Sequence, residues 1–406
     1  MVDTGNTLKV LHVVYQSIPD IQGSSIRTKE MLSSLKNAGC EQKCITSPFQ
    51  RGVKESRGIE VIDGIPFLRT YLDGFSVSQG YKGVWIRVKK AMTLPYFLTR
   101  VYRFAKENNF DLIHAHATLY CFIPALLVGR ILGVPVICEV RSIWGNEAAS
   151  KSLLITLQHF LITQIEWSCL KRSNLTFFLN KRLSDHIDPL GKLNSSISPN
   201  GISYPSSLSF RPTYNCSLEK KTEVIFGYVG GLNLYENVEI LIEAVDVLCE
   251  RGLRVKLLIY GHGPMSKELE RVSAGKGFVS IMGKFRPEER ESIYDSLDVV
   301  VYPRISTELT ETVTPLKPLE AALFGVKIVA SSIGGHTDLL KTDGITWCKP
   351  DDLDSLVTAL ETVIELSPST LTADVASVFQ FVTDNHDWNK LGFILLEKYK
   401  RLVADS

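Results

Sequence analysis

The sequence predicts an α/β protein of two doubly wound domains, and three observations carry that reading. Short β-branched runs alternate with amphipathic segments along most of the chain, the pattern of parallel sheets covered on both faces by helices. Residues 204–222, rich in Pro, Ser and Thr, lack either periodicity and read as a linker, after which the alternation restarts. At roughly 150 residues per domain, a chain of 406 holds two large domains or three small ones. Ligands of open parallel sheets bind beyond the C-terminal strand ends, so both sets of ends are expected to face one cleft between domains 1–203 and 223–384.

In the first domain Lys9–Val14 reads as a strand and 24–38 as a helix, followed by strands at 42–46, 111–114, 134–140 and 175–179 with helical stretches between them. The run 120–138 is apolar enough and long enough for a membrane span. Its Pro124, Arg130, Pro135 and two glycines instead fit helix 119–132, a stop at Gly133 and strand 135–140. After the linker come strand Val224–Val229, helix 236–251, strand Val255–Tyr260 and a turn at Gly261-His-Gly263-Pro264. Strand 278–282, helix 287–296, strand Val299–Tyr302, helix 316–324, strand 326–330 and helix 352–366 complete the second unit. The segment 387–402 is an amphipathic helix with a basic end.

Hydrophobic residues make up 45% of the chain and charged ones 22%, which excludes disorder, collagen-like repeats and a multi-span membrane protein. The net charge of +1 conceals a split: residues 1–200 carry 24 basic against 15 acidic side chains, and the remaining 206 carry 21 against 29. Eight cysteines show neither a Cys-x-x-Cys pair nor zinc-ligand spacing, so buried reduced thiols are expected. Met1–Asn6 has no basic leader and 8–15 is too short for a signal-peptide core; the expected location is cytoplasmic, with a peripheral place on the inner face of the membrane as an option.

The glycine clusters Gly227-Tyr-Val-Gly230-Gly231 and Gly261-His-Gly263 fail the Gly-x-Gly-x-x-Gly spacing, and no P-loop occurs, which disfavours an NAD or ATP enzyme. Each cluster nevertheless follows a predicted strand and precedes a helix, where phosphates can approach backbone N–H groups. The densest constellation is 301–325. There Pro315 and Pro318 suit the first turn of a helix, Arg304 and Lys317 suit a diphosphate, and Glu311 and Glu320 suit sugar or ribose hydroxyls. His114 and His116 flank Ala115 at a strand end, from which His116 can enter the cleft. Asp352-Leu-Asp354 opens a helix and reads as a cap, so no metal is expected. Residues 81–106 carry seven basic side chains and no acid, interleaved with aromatics, which suits either a solvated helix face or an anionic membrane surface. No nucleic-acid recognition motif accompanies that charge.

The run Glu311-Thr-Val-Thr-Pro-Leu-Lys-Pro-Leu-Glu320, continuing to Gly334-Gly335, resembles the donor-site signature of glycosyltransferase family 4, retaining enzymes of GT-B fold. With Val136-Ile-Cys-Glu139-Val-Arg141-Ser-Ile-Trp144 it is most similar to the branch associated with bacterial exopolysaccharide. The resemblance implies two Rossmann-like domains, with a helix at 385–406 crossing back to the first, which would hold the acceptor. It implies that Glu320 binds the ribose hydroxyls and Glu311 the donor sugar, with Thr314, Leu316 and Lys317 by the diphosphate. Gly283-Lys284-Phe285-Arg286 would read the base, Gly23 would leave room for the donor, and His116 would face the donor sugar. Eight residues separate Glu311 from Glu320, where the broad family has seven, a shift the branch shares. Gly231-Leu-Asn-Leu-Tyr-Glu236 lacks the family's basic residue and Lys-Gly pair, leaving Arg304 and Lys317 to supply charge.

The expected activity is transfer of a hexosyl or N-acetylhexosaminyl group from a nucleotide-diphosphate sugar, a UDP-sugar first, to a saccharide or lipid-linked hydroxyl, without cofactor. The alternatives are a nucleotide-sugar epimerase or hydrolase of the same fold and a non-catalytic nucleotide-sugar-binding subunit.

Overall fold

The computed structural model describes residues 7–20, 23–50, 58–72, 84–143, 153–204, 210 and 223–406. The chain forms two compact units, Met1–Ser203 with Trp388–Ser406, and Tyr204–Asp387. Most of the expected linker lies outside the described residues, as do residues 81–83, Trp144 and the side chains of 84–88.

The first unit runs β1 (Lys9–Val14), α1 (Gly23–Asn37), β2 (Glu41–Thr46), β3 (Gly58–Ile62), β4 (Ile65–Arg69), α2 (Val84–Asn108) and β5 (Leu112–His116). It continues through α3 (Leu119–Leu132), β6 (Val136–Val140), α4 (Leu153–Leu170), β7 (Leu175–Phe178), α5 (Lys181–Ile187) and β8 (Ser195–Ile197). The strand order is β3-β4-β2-β1-β5-β6-β7-β8, so chain order reverses between β1 and β5. β5, β6 and β7 are buried along their whole length, as central strands covered on both faces must be. The hairpin β3–β4 departs from the expected parallel pattern, being antiparallel. Its Asp63-Gly64 turn takes φ of 52° and 73°, the positive pair that a two-residue hairpin needs. The apolar run 120–138 resolves as α3, a left-handed stop at Gly133 with φ 69°, and β6. Among the described residues no helix is long and apolar enough to cross a membrane.

The second unit runs β9 (Val224–Val229), α6 (Val238–Glu250), β10 (Val255–Tyr260), α7 (Ser266–Ser273), β11 (Val279–Gly283), α8 (Arg290–Asp295), β12 (Val299–Tyr302) and α9 (Glu308–Thr312). After these come α10 (Lys317–Leu323), β13 (Lys327–Ser331), α11 (Gly334–Thr337), β14 (Thr346–Cys348), α12 (Leu353–Glu365) and α13 (Pro368–Asn385). All six strands are parallel in the order β11-β10-β9-β12-β13-β14, reversing between β9 and β12. Asp352 caps α12, its carboxylate accepting from Ser355 N at 2.8 Å.

The last helix, α14 (Trp388–Ala404), belongs to the first unit, which it enters at Trp388 rather than at 385. Its Trp388, Leu395, Leu396 and Tyr399 share one apolar cluster with Met31 and Leu35 of α1 and Val10, Leu112 and Phe177 of the sheet. A Cβ at Gly392 would overlap Ser34, so glycine is what lets the two helices touch. Burying side chains of this size stabilises by about 1.5–3 kcal/mol each. The described cysteines are free, and burial raises their thiols, Cys40, Cys121 and Cys348 to about 12.

Candidate functional site

Doubly wound sheets bind ligands where the strand order reverses, beyond the carboxyl ends of the strands. In the second unit that place lies between β9 and β12. Gly230 follows β9 with φ 151° and Gly261 follows β10 with φ 145°, conformations few side chains adopt. A Cβ on Gly261 would overlap the Gly230 carbonyl, one on Gly263 the Leu232 carbonyl, and one on Gly230 the Lys317 side chain. Gly261 N donates to Gly283 O at 2.7 Å, which ties the end of β11 to the same cluster. The strand-end glycines therefore pack backbone on backbone, with Lys317 against them.

Lys317 opens α10 and keeps 19% side-chain exposure. Its ammonium lies 2.6 Å from Tyr228 Oη and 2.6 Å from Glu236 Oε1. Glu236, 1% exposed, also accepts two bonds from Arg304, at 3.0 and 2.8 Å. Burial pushes the Glu236 carboxyl up, but Arg304 and Lys317 outweigh it and hold it down to about 2. Burial lowers Lys317 to about 8 against the pull of Glu236. Two cations and one carboxylate leave one net positive charge. Arg304 is 8% exposed and, like Lys317, is paired with Glu236.

Glu311 lies on α9, accepting from Ser306 Oγ at 2.6 Å and from Gly334 N at 2.6 Å. Glu320, in the first turn of α10, faces Arg290 at 3.5 Å. Thr314 is buried, and Leu316 is the N-cap of α10. Gly231 O accepts from Tyr228 Oη at 2.9 Å. Lys284 is exposed, and Phe285 sits edge-on to Tyr260 with ring centroids 6.4 Å apart.

In the first unit the reversal between β1 and β5 holds a different constellation. Gly23 opens α1 with nothing within 4 Å of an added Cβ. His12 on β1 and His114 on β5 are register partners. His116 Nε2 shares a hydrogen bond with His12 Nδ1 at 3.0 Å, and its Nδ1 lies 2.9 Å from Glu139 Oε2 and 2.7 Å from Arg141 Nη2. Glu139, on β6 and 0% exposed, also binds Arg27 at 2.7 Å, and His114 bonds Tyr399 Oη of α14 at 2.6 Å. Burial lowers His116 to about 3 and holds His12 and His114 well below the usual imidazole range. The two guanidiniums hold Glu139 ionised against the cost of its burial. His116 is 2% exposed with both ring nitrogens engaged, which makes it a member of a buried network.

Among the described residues, His12, His114 and His116 form the group whose ligand atoms lie close enough for a metal, within 4.8 Å of one another. Arg27 and Arg141 set positive charge against a cation there. Sequence reasoning missed Glu236, Glu139, Arg27 and Arg141. The available signal for Glu139 and Arg141 was charge in or beside a strand whose residues are otherwise apolar.

Comparison with known proteins assigns both units. Residues 22–166 match the Glycosyl transferase 4-like domain and 223–365 the Glycosyl transferases group 1 family, together well over half of the chain. The chain belongs to the GT-B glycosyltransferases. This GT-B glycosyltransferase is 22% identical over 400 residues to the 2-deoxystreptamine glucosyltransferase of Streptomyces kanamyceticus, covering 93% of this chain and 99% of that one. It is 25% identical over 313 residues to the uncharacterized glycosyltransferase MJ1607 of Methanocaldococcus jannaschii, covering 70% and 77%. Sucrose-phosphate synthase from Thermosynechococcus elongatus superposes with a TM-score of 0.74 at 16% identity over 98% of this chain and all of that one. Anabaena Alr3699/HepE, solved in complex with UDP and glucose, superposes at 0.69 with 15% identity over 97% and 99%. At such identities these two structures speak to the fold of a GT-B glycosyltransferase.

Proposed function

We propose that the protein is a retaining glycosyltransferase whose second unit binds a nucleotide-diphosphate sugar, a UDP-sugar first, and whose first unit binds a saccharide or lipid-linked hydroxyl acceptor. The observation that carries this reading is the meeting of Gly230, Gly261 and Lys317 at the strand reversal of the second sheet. Glycine backbone there admits a diphosphate closely, and Lys317 meets the charge that develops on it as the sugar departs. Glu320 takes the ribose hydroxyls, Glu311 the donor sugar, and the loop with Lys284 and Phe285 the base. Thr314 and Leu316 border the diphosphate. The bond from the anomeric carbon to the diphosphate breaks, the acceptor oxygen takes its place on the same face, and the acceptor proton passes to the departing phosphate. No cofactor enters that balance. The complex with UDP and glucose of Alr3699/HepE supports the choice of donor, and an acceptor of surface or exopolysaccharide synthesis agrees with the signature around Glu311 and Glu320.

A thermal-shift screen against UDP, GDP, ADP and their sugars tests the donor, since stabilisation follows affinity. UDP and a UDP-sugar should raise the melting temperature. Lys317→Ala should lower kcat/KM by about 10²-fold, and Glu320→Ala should weaken donor binding. Intact binding and transfer in both variants would refute the assignment, as would steady release of free or epimerised sugar with no acceptor present.

A further inference from the structure

Three helices of the first unit carry a surface that the donor chemistry does not use. The connections β4 to β5, β5 to β6 and β6 to β7 step across the sheet in one direction. Right-handed crossovers then place α2, α3 and α4 on one face, and α3 packs against both neighbours. Their outer sides expose Met92 (68%), Leu127, Ile131 (64%), Phe160, Leu161 and Ile165. Leu127 with Ile131, and Leu161 with Ile165, stand four residues apart, so each pair forms one outward stripe. Exposed apolar groups gathered in this way mark a surface that meets something.

The charge around them is mostly basic, the exposed acid on the described parts of these helices being Glu107, beside Lys106 at the end of α2. Arg103 and Lys106 on α2, Arg130 on α3, and Lys171 and Arg172 just after α4 are all exposed. Lys171 lies over the Trp167 ring, 5.2 Å from its centroid. α3 has no acid, and the one acid of α4, Glu166, is 8% exposed, its carboxyl raised by burial to about 7. The basic stretch seen in the sequence is only part of this surface. Phe97, one of its aromatics, turns inward and stacks on Tyr120 at 5.2 Å, so the apolar share comes from α3 and α4.

We propose that the α2–α3–α4 face docks the protein on an anionic lipid surface. Apolar side chains enter the boundary of the acyl chains while the surrounding cations meet lipid phosphates. A second copy fits worse, because a symmetric contact would set like charges against each other. The proposal goes beyond the donor assignment and stands apart from it.

Sedimentation of the full chain with vesicles of phosphatidylglycerol and phosphatidylcholine, compared with phosphatidylcholine alone, tests it. Binding to the anionic vesicles, weakened by salt, is expected. Arg103→Gln with Lys106→Gln should reduce that binding at least about tenfold, and Leu161→Ser with Ile165→Ser should reduce it comparably. Both pairs should leave the melting temperature unchanged, since exposed substitutions rarely alter stability. Absence of sedimentation with anionic vesicles, or equal binding by the wild type and both variants, overturns the proposal. So does a dimer in light scattering that Leu161→Ser with Ile165→Ser abolishes. Because vesicle binding is read without transfer, failure here leaves the donor assignment intact.

Discussion

At the scale of residues, Glu236 bonded to both Arg304 and Lys317 leaves one net positive charge where the sequence suggested two. Replacing its charge while keeping an acceptor separates electrostatics from support. Glu236→Gln should tighten UDP binding about tenfold and steepen its salt dependence, measured by calorimetry at two ionic strengths. Weaker binding would mean that Glu236 serves only to hold the loop. The pH dependence follows from the same group. Lys317 loses its proton as pH rises through about 8, so UDP affinity should be level below that value and decline above it, read by titration from pH 6 to 10. Glu236, held down to about 2, contributes stability that is present above the ordinary carboxylate pKa of about 4.3 and lost as pH falls through about 2.

At the scale of elements, the loops after β9 and β10 depend on each other. Gly261→Ala places a methyl on the Gly230 carbonyl at a φ of 145°, a strain of about 1–3 kcal/mol. The expected outcome is a lower melting temperature and loss of UDP stabilisation in the same scan; an unchanged ligand shift would show the loop is not part of the donor site. The central parallel strands were legible because apolar β-branched runs bounded by turn residues have few other readings, whereas the parallel strands β4, β8 and β14, five residues long or fewer and at or near the sheet edges, were not. β3 was not, since its Ile59 and Val61 are 62% and 64% exposed and so show no alternation toward a core. Its Asp63-Gly64 turn was the readable signal. α9 and α11, five and four residues long, fall below the length at which helical periodicity can be seen.

At the scale of the whole molecule, both strand reversals were legible as places, because motifs after Lys9–Val14, Val224–Val229 and Val255–Tyr260 fall at strand ends. The pairing of Glu236 with Arg304 and Lys317, 68 and 81 residues away in sequence, was not, since it forms only when β9 and β12 become neighbours. The same holds for Glu139, which meets Arg27 and His116 only through the fold. On the proposed docking face, the basic residues of α2 likewise stand beside exposed apolar side chains of α3 and α4 only through the fold. Glu236 bears on turnover as well. On the proposed donor assignment, a pocket of bare cations would cling to its spent nucleotide, whereas a built-in carboxylate paired with Lys317 would reclaim it and so help the enzyme let go of what it has used.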